Sequence, residues 1–314
     1  MTGEVISRDD WLRERQKGIG SSDAAAVCGL SPWRTPLNVY LEKLELAPSN
    51  SEEDDSDLLH WGRQLEPVVI EEYKRRTGAQ VSNQQQLIRS KEFPFAIATL
   101  DGIATFANEG PRILEVKTSQ KFSDWGEPGS DSVPVQYIFQ CQHQMMCSGY
   151  QLADIAVLIR GHDFRIYTIA RDEAIIEALL KAEIAFWQCV VTRTPPAPRT
   201  GQDALLLYPV PVAGKIVEAD EAMFTLHGEL IKTKHQLKEL AALLDGQETM
   251  VKAFMGDAEE LKFQGDRLAT WKKSKDGRHL VKEKLIKKYP DIYTDEDVSA
   301  PTVGARVFLA KDPK

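Results

Sequence analysis

The chain has 314 residues and a net charge of −8, and 42% of its residues are hydrophobic, as in ordinary globular proteins of one large domain or two. No run approaches the roughly 20 apolar residues of a membrane span, and the charged N-terminus is unlike a secretory signal. We therefore expect a soluble, cytoplasmic protein without membrane contact, whose acidic balance excludes a uniformly basic nucleic-acid coat but not a local positive groove.

The N-terminal part of the chain is predicted to be mainly helical. A capping-box pattern from Ser7 to Asp10 opens a helix that runs to Gln16. Two glycines follow, and then Ser21 or Ser22 serves as the N-cap of a short alanine-rich helix. Apolar periodicity predicts two further helices. Their ranges are 35–46 and, after an acidic loop at 48–57, 57–78 with a bend at Pro67.

The middle of the chain combines strands and helices. Alternating apolar residues and turn residues mark the elements. In chain order they are strands near 80–90, 95–105 and 111–118 in an antiparallel meander, a helix ending at Gly149, a hairpin of 152–160 and 163–170 turning at Gly161, and a helix over 172–191. This order predicts an α+β core.

A linker at 194–203 separates a C-terminal module, so we predict two domains, 1–200 and 201–314. The module starts with a helix over 216–258 whose leucines recur near heptad spacing, which indicates a docking surface for a recombinase partner or a subunit contact. A strand pair, a basic segment and a final strand at 305–310 follow. The basic segment, with Trp271 and Tyr289 beside it, indicates either DNA contact or a solvated helix face. Its cations are Lys272, Lys273, Lys275, Arg278, Lys282, Lys284, Lys287 and Lys288.

The strand ILEVKTS, residues 113–119, contains an unusual pair of charges. Successive strand residues point to opposite faces, so Glu115 and Lys117 share one face. Asp101 ends the preceding strand fourteen positions before Glu115, as a hairpin with adjacent strands requires. An acid, a hairpin and E-x-K form a nuclease pattern, in which the two acids and the Val116 carbonyl bind Mg²⁺ and the lysine assists the attacking water. The alternative is a Glu–Lys pair on a solvated sheet face.

Two helices offer further polar groups for such a site. Glu66 lies on the predicted helix 57–78 and is either a third acid or a solvated surface charge. Gln136, Gln140 and Gln144 recur every four residues and form one polar ridge on an apolar helix. Buried amides need hydrogen-bond partners, and a substrate phosphate or a metal-bound water would provide them. The alternative is an exposed polar stripe.

Five blocks in this order resemble the YqaJ-type viral recombinase family, which includes phage lambda exonuclease. They are GIGSSDAAAVCGLSPW, LHWGRQLEP, ATLDG, ILEVKTS and QYIFQCQHQMMCSG, within roughly residues 8–195. The resemblance implies a restriction-endonuclease-like, PD-(D/E)xK core with a mixed sheet flanked by helices, followed by a helical and β-hairpin extension. It also implies that the protein digests linear double-stranded DNA from 5′ ends, and that this reaction depends on Mg²⁺, for which Mn²⁺ can substitute. The resulting 3′ tails would serve recombination with a single-strand annealing protein. The resemblance further implies a homotrimeric ring.

The resemblance also assigns roles to residues. Its catalytic residues are Asp101, Glu115, Lys117, Glu66 and Gln140, and its metal ligands are Asp101, Glu115, Glu66 and the Val116 carbonyl. One departure is that Thr99 and Leu100 stand where many members have serine and proline. The candidates for binding the 5′ phosphate and DNA are Arg13, Arg15, Lys17, Ser21, Ser22 and Gln136. Glycine N–H groups and a helix start favour phosphate binding, whereas Asp23 in the first turn favours plain helix capping.

Two other functions compete with this one. A RecB-like or Cas4-like nuclease of other polarity shares the E-x-K core, but its iron–sulfur members need clustered cysteines. The four cysteines here show no C-x-x-C spacing, so we expect no iron–sulfur cluster and thiols that pack as small hydrophobic groups. They are Cys28, Cys141, Cys147 and Cys189. The other alternative is a non-catalytic protein that binds DNA ends, which the joint presence of Asp101, Glu115 and Lys117 disfavours.

Overall fold

The structure is a computed structural model that describes residues 13–46, 57–82, 85–275, 281–293 and 308–310. The chain forms two compact units, Met1–Leu207 and Tyr208–Lys314, and each is described by itself. The predicted capping box at Ser7, the acidic loop up to residue 56 and most of the predicted last strand lie outside the described residues. None of the described helices is long and apolar enough to cross a membrane.

The helices of the first unit begin and end at residues that favour helix termini. In chain order they are α1 Ala24–Val27, α2 Pro36–Lys43, α3 Asp57–Thr77, α4 Val135–Ser148, α5 Glu173–Thr192 and α6 Gly201–Leu207. The Asp172 carboxylate accepts hydrogen bonds from the first backbone N–H groups of α5, at 2.8 and 3.1 Å. Gly149, with φ of +82°, ends α4 as predicted.

The predicted N-cap at Ser21 or Ser22 is wrong. Residues Ser21–Asp23 form a 3₁₀ turn whose N-cap is Gly20, a residue without a side chain that could accept a hydrogen bond. The Asp23 carboxylate instead accepts from the Gly20 N–H, at 3.3 Å. An acid three residues after the cap satisfies this N–H from inside the turn, which leaves both serine hydroxyls for other contacts.

The strands of the first unit form two sheets. They are β1 Ile19–Gly20, β2 Gln80–Ser82, β3 Gln86–Arg89, β4 Ala96–Leu100, β5 Gly102–Thr105, β6 Arg112–Ser119, β7 Leu152–Ile159 and β8 Asp163–Ala170. The larger sheet has the order β2-β5-β6-β7-β8 and the smaller one β1-β4-β3. Strands β6 and β7 are parallel because α4 connects them, whereas the other pairs of the larger sheet are antiparallel.

The chain crosses between these sheets twice where the sequence predicts single strands. The predicted strand at 80–90 is divided into β2 and β3, and the one at 95–105 into β4 and β5, with each half in a different sheet. The second division falls at Asp101, between Leu100 and Gly102. This residue therefore lies where the two sheets separate, rather than inside a continuous strand.

Both faces of the larger sheet are covered by apolar side chains. Ile113 and Leu114 are both fully buried on β6, on opposite faces. Ile113 packs in a cluster that includes Cys141 and Met145 of α4, and Leu114 packs in a cluster with Val69 of α3. Glu115 follows on the face of Ile113, so its side chain points towards α4. The predicted α+β class, with a mixed sheet flanked by helices, is confirmed.

In its described residues, the second unit contains a long helix, a strand hairpin and a short helix. Helix α7 spans Glu221–Met255, strands β9 Glu260–Phe263 and β10 Asp266–Thr270 form an antiparallel pair, and α8 spans Lys282–Lys288. Helix α6, which precedes this unit, belongs to the first one. The predicted domain boundary at 200/201 therefore falls just before a helix that packs with the first unit.

Candidate active site

The change of sheets at Asp101 places its carboxylate against β6. Gly102 pairs with Leu114 in the antiparallel β5–β6 ladder, so Asp101 lies beside Glu115 as the spacing predicted. The Asp101 Oδ2 accepts a hydrogen bond from the Val116 N–H, at 2.9 Å. This bond fixes one carboxylate oxygen directly beside the strand that carries Glu115 and Lys117.

Glu115 is the centre of a hydrogen-bond network between β6 and α4. Its side chain is buried, and its Oε1 accepts from Lys117 Nζ and from Gln140 Nε2, the latter at 2.6 Å. Its Oε2 accepts from Gln144 Nε2, also at 2.6 Å. Two members of the glutamine ridge therefore face inwards and orient this carboxylate. The exposed-stripe alternative does not hold for Gln140 and Gln144.

Burial and mutual charge shift the pKa values of this cluster. Burial raises the pKa of Asp101 well above its usual value, and the nearby charge of Glu115 raises it further, against a smaller lowering by Lys117. Burial lowers the pKa of Lys117, but the charges of Glu115 and Asp101 outweigh this and raise it above its ordinary value. Lys117 is therefore an ammonium ion, and its Nζ lies 5.0 Å from the centroid of the Tyr137 ring.

Glu66 lies in the same cleft but is held by another partner. Its Oε1 accepts from Gln85 Nε2 at 2.7 Å, and burial raises its pKa above the usual value. Its negative charge is one of the influences that raise the pKa of Asp101. Within the described residues, no three histidine, cysteine or acidic side chains are grouped closely enough to hold a metal ion together.

A buried acid fixes several cations beside the cleft. Asp23 is fully buried, and its carboxylate pairs with Arg15 at 3.2 Å, Arg34 at 2.8 Å and the buried Lys43 at 2.8 Å. Burial raises the pKa of Asp23, but these three cations lower it more, to well below the usual range. Arg15 Nη2 also donates to Ser22 Oγ, at 3.4 Å. Glu42 also pairs with Arg15, at 3.8 Å, and with Arg34. A cluster of three cations and two acids therefore holds an arginine and a serine hydroxyl together.

Most of the predicted site residues line one cleft of about 1310 Å³. They are Arg15, Ser21, Ser22, Glu66, Asp101, Glu115, Val116, Lys117, Gln136 and Gln140. Two predicted phosphate ligands behave differently, because Arg13 is exposed and Lys17 is exposed and paired with Glu14 at 2.5 Å. The cleft thus joins the acidic cluster to the edge of the Asp23 network.

Sequence reasoning did not find Arg34 or Lys43, and it gave Gln144 no place among the site residues. The signal for Lys43 was its position on α2, since it falls three and four residues after the buried Tyr40 and Val39. A lysine in an apolar stripe requires a buried partner. The interaction of Glu66 with Gln85 had no local signal, because the two residues lie 19 positions apart in different segments.

Comparisons with known proteins add a family. Residues 10–151 match the YqaJ-like viral recombinase domain. A relative described as the uncharacterized protein YqaJ, from Bacillus subtilis (strain 168), is 32% identical over 297 residues, which cover 92% of this chain and 90% of the relative. The similarity to this relative therefore extends over both compact units.

Two solved structures are similar over a smaller part of the chain. An alkaline exonuclease (LHK-Exo) from Laribacter hongkongensis has a TM-score of 0.47 and 20% identity, and the match covers 59% of this chain and 94% of that one. A phage related exonuclease from Haemophilus somnus 129PT has a TM-score of 0.40 and 13% identity, covering 56% of this chain and 96% of that one.

Proposed function

Since this chain belongs to the YqaJ-like viral recombinase family, we propose that it is a metal-dependent exonuclease acting on linear double-stranded DNA. The observation that carries the proposal is the convergence of Asp101, Glu115 and Lys117 in one cleft. The order of acid, hairpin and E-x-K along two adjacent strands is the nuclease pattern that the sequence predicted. The family resemblance itself is confirmed.

The residues present fit a hard divalent cation such as Mg²⁺, with Mn²⁺ as a substitute. Mg²⁺ binds one or two carboxylates and completes its shell with waters and phosphate oxygens. Asp101 and Glu115 supply the carboxylates and Val116 the backbone carbonyl, with Glu66 as an auxiliary acid. A carboxylate accepts about four hydrogen bonds, and Glu115 uses three of these positions. When bound, the metal would neutralise charge on the scissile phosphate and polarise the attacking water.

The side chains then divide the remaining work. Lys117 stabilises negative charge that develops on the phosphoryl group and orients or activates the attacking water. Gln140 and Gln144 hold the Glu115 carboxylate in one orientation by hydrogen bonds. Burial, and then the charge of Glu115, raise the pKa of Asp101, and a bound cation would stabilise such a buried pair of carboxylates.

The Asp23 network supports binding of a terminal phosphate. Arg15, Ser21 and Ser22 are proposed to bind the 5′ phosphate, with Gln136 contacting DNA nearby. An arginine that is already oriented by Asp23 loses little side-chain freedom when it binds an oxyanion. Arg13 and Lys17 are exposed, and Lys17 pairs with Glu14; both remain proposed contacts to the phosphate or to DNA.

The finer parts of the proposal follow from the family. They are digestion in the 5′ to 3′ direction, 3′ tails for single-strand annealing, an annealing protein as partner, a ring-shaped homotrimer, and action in the cytoplasm of the host cell if the protein is phage-encoded.

One experiment tests the activity and its polarity together. Linear duplexes labelled at either the 5′ or the 3′ end, with and without a 5′ phosphate, are incubated with Mg²⁺, with Ca²⁺ or with excess EDTA. We expect the label at a phosphorylated 5′ end to be released first with Mg²⁺, DNA binding with little cleavage in Ca²⁺, and no turnover in EDTA. Circular duplex should remain intact.

Matched variants make the result specific. Lys117→Ala should abolish digestion, whereas Lys91→Ala, which removes an exposed lysine outside the cleft, should digest normally. Intact duplex with both wild type and Lys117→Ala in Mg²⁺ would favour the non-catalytic DNA-end-binding function. Earlier release of the 3′ label would favour a RecB-like or Cas4-like nuclease, and cleavage of circles would indicate an endonuclease.

A further inference from the structure

Helix α7 carries a regular seven-residue repeat of apolar side chains. The helix has 35 residues, and ten of its positions alternate in steps of three and four. These are Met223, Leu226, Leu230, Thr233, Leu237, Leu240, Leu244, Gln247, Val251 and Phe254. Eight of them are apolar, over the full length of the helix. A period of 3.5 residues, rather than 3.6, is the pattern of a helix that supercoils around another helix.

This stripe, the set of ten positions, is largely exposed in the single chain. Leu237, Leu240 and Leu244 are 62%, 60% and 57% exposed. Single exposed leucines are common on protein surfaces, but a continuous row along a helix of about 50 Å indicates a surface that another molecule covers. Gly228 and Gly246 lie inside the helix and lower its intrinsic stability, so the helix depends on packing.

The two polar positions of the stripe indicate what covers it. Thr233 and Gln247 occupy the same heptad position as Leu226 and Leu240. In a parallel, in-register pair of α7 helices each layer meets its own copy, so the Gln247 amides meet and can hydrogen-bond to each other. The Thr233 hydroxyl already donates to the Glu229 carbonyl at 2.9 Å, so its burial leaves no donor unsatisfied.

An antiparallel pair fits the same residues less well. In the antiparallel register that sets Leu240 opposite Leu244, Gln247 faces Leu237 and Thr233 faces Val251. Each polar side chain then lies against an apolar one. A buried amide without a partner is costly, so the sequence favours the parallel pair.

Charges beside the stripe agree with the parallel arrangement. Glu229 precedes the stripe residue Leu230, and Lys234 follows Thr233. In a parallel two-stranded coil the residue at the first of these heptad positions faces the residue five later in the other helix. Glu229 of each chain therefore faces Lys234 of the other, which gives an opposite-charge pair on both sides of the coil.

We propose that α7 forms a parallel, in-register coiled coil with the α7 helices of other copies of this chain, in which each pair of neighbouring helices makes these contacts. The proposal concerns the second unit alone and is independent of the nuclease assignment. The sequence left two alternatives for the leucine-spaced helix, a docking surface for a recombinase partner or a subunit contact. The proposal selects the subunit contact.

Cysteine cross-linking of the full-length protein tests the arrangement. Gln247→Cys places a thiol in the stripe at a polar layer, and Thr249→Cys places one on the opposite side of α7. Both variants retain the four native cysteines, which are free thiols, so background oxidation is the same in both. Under mild oxidation we expect Gln247→Cys to form a covalent dimer. We expect Thr249→Cys to form none, because only facing residues meet the geometry of a disulfide.

A second set of variants separates the coil from any association of the nuclease units. Leu237→Lys with Leu244→Lys, added to Gln247→Cys, should abolish the cross-link, whereas Ala242→Lys on the outer side should preserve it. Both backgrounds are compared at equal helix content by circular dichroism. Equal cross-linking of Gln247→Cys and Thr249→Cys, its absence from both, or its persistence in the double-lysine background would overturn the proposal. A cross-link of Gln247→Cys to a different protein, and not to a second copy of the chain, would also overturn it.

Discussion

At the scale of single residues, the proposed nuclease activity depends on how firmly the Glu115 carboxylate is oriented. Gln140 and Gln144 each donate to one of its oxygens at 2.6 Å. Partners that orient a metal ligand typically contribute 10–100-fold to activity, so we expect Gln140→Ala to lower kcat by roughly that factor. Single-turnover digestion of a 5′-phosphorylated duplex measures it.

The matched control for this prediction lies on the same helix. The buried Gln142 side chain bonds to the Ala170 carbonyl and the Asp172 N–H instead, at 2.8 and 2.9 Å. Gln142→Ala should therefore lower stability by about 1–3 kcal/mol while its kcat stays near that of the wild type. If Gln140→Ala digests at the wild-type rate, the orienting role of this glutamine is wrong.

The contribution of Asp23 to the stability of the protein depends on pH. Its pKa is held well below the usual range, so its contribution to stability is present above the unfolded-state value of about 3.9 and disappears as the pH falls towards the folded-state value. We expect Asp23→Asn to lower the free energy of unfolding by about 3–5 kcal/mol at pH 7, because it leaves buried Lys43 without its carboxylate.

Urea unfolding between pH 3 and pH 8 measures this prediction. The difference in unfolding free energy between wild type and Asp23→Asn should stay constant from pH 8 to about pH 5. It should narrow below about pH 4. Asp163→Asn is the control, since this half-exposed carboxylate pairs with Arg165 near the surface and should cost less than about 1 kcal/mol. A difference that widens on acidification would contradict the charge assigned to Asp23.

At the scale of elements, one buried ion pair joins two helices and a strand. His143 on α4 contacts Glu183 on α5 through Nδ1, at 2.6 Å, and the Ile97 carbonyl on β4 through Nε2, at 2.9 Å. Both ring nitrogens face acceptors, so both carry protons. Burial lowers the pKa of His143, but the Glu183 carboxylate raises it to well above the usual value. The pair therefore holds α4, with its glutamines, against the strand that leads to Asp101.

A double-mutant cycle tests this link. We expect His143→Gln and Glu183→Gln each to cost about 3–5 kcal/mol of unfolding free energy, because each leaves a buried partner uncompensated. The double variant should cost less than the sum by about 0.5–3 kcal/mol. Because the His143 pKa is raised, the cost should be full below about pH 6.5 and shrink as the pH rises. Additive costs in denaturant unfolding would exclude the coupling.

The elements also explain what the sequence could predict. The shared face of Glu115 and Lys117 was predicted because a strand alternates its faces every residue, and the position of Asp101 beside them because a hairpin brings neighbouring strands together. The division of 95–105 into β4 and β5 was missed, because local propensity does not say which sheet a strand joins. The Asp23 network was missed for a related reason: its partners come from three separate segments, and only the buried Lys43 left a local trace.

At the scale of the whole molecule, the first unit contains its own core. Its hydrophobic clusters use residues up to Leu207, and Leu206 and Leu207 pack with α2 and α5. The buried Asp203 accepts from Thr35 Oγ1 and the Arg199 N–H, both at 2.8 Å. Helix α6 is thus the last element of this unit, although the composition of 194–203 resembles a linker.

Two truncated proteins distinguish the structural boundary from the one predicted by composition. A fragment of residues 1–212 keeps α6 and should unfold cooperatively and digest linear duplex, whereas a fragment of residues 1–200 lacks Asp203, Leu206 and Leu207. We expect the shorter fragment to lose about 2–4 kcal/mol of unfolding free energy, from lost apolar burial and from the lost hydrogen bond between Thr35 Oγ1 and Asp203. Urea unfolding followed by circular dichroism measures both. Equal stability would mean that α6 is dispensable, and an unfolded 1–212 fragment would mean that the first unit requires the residues beyond it.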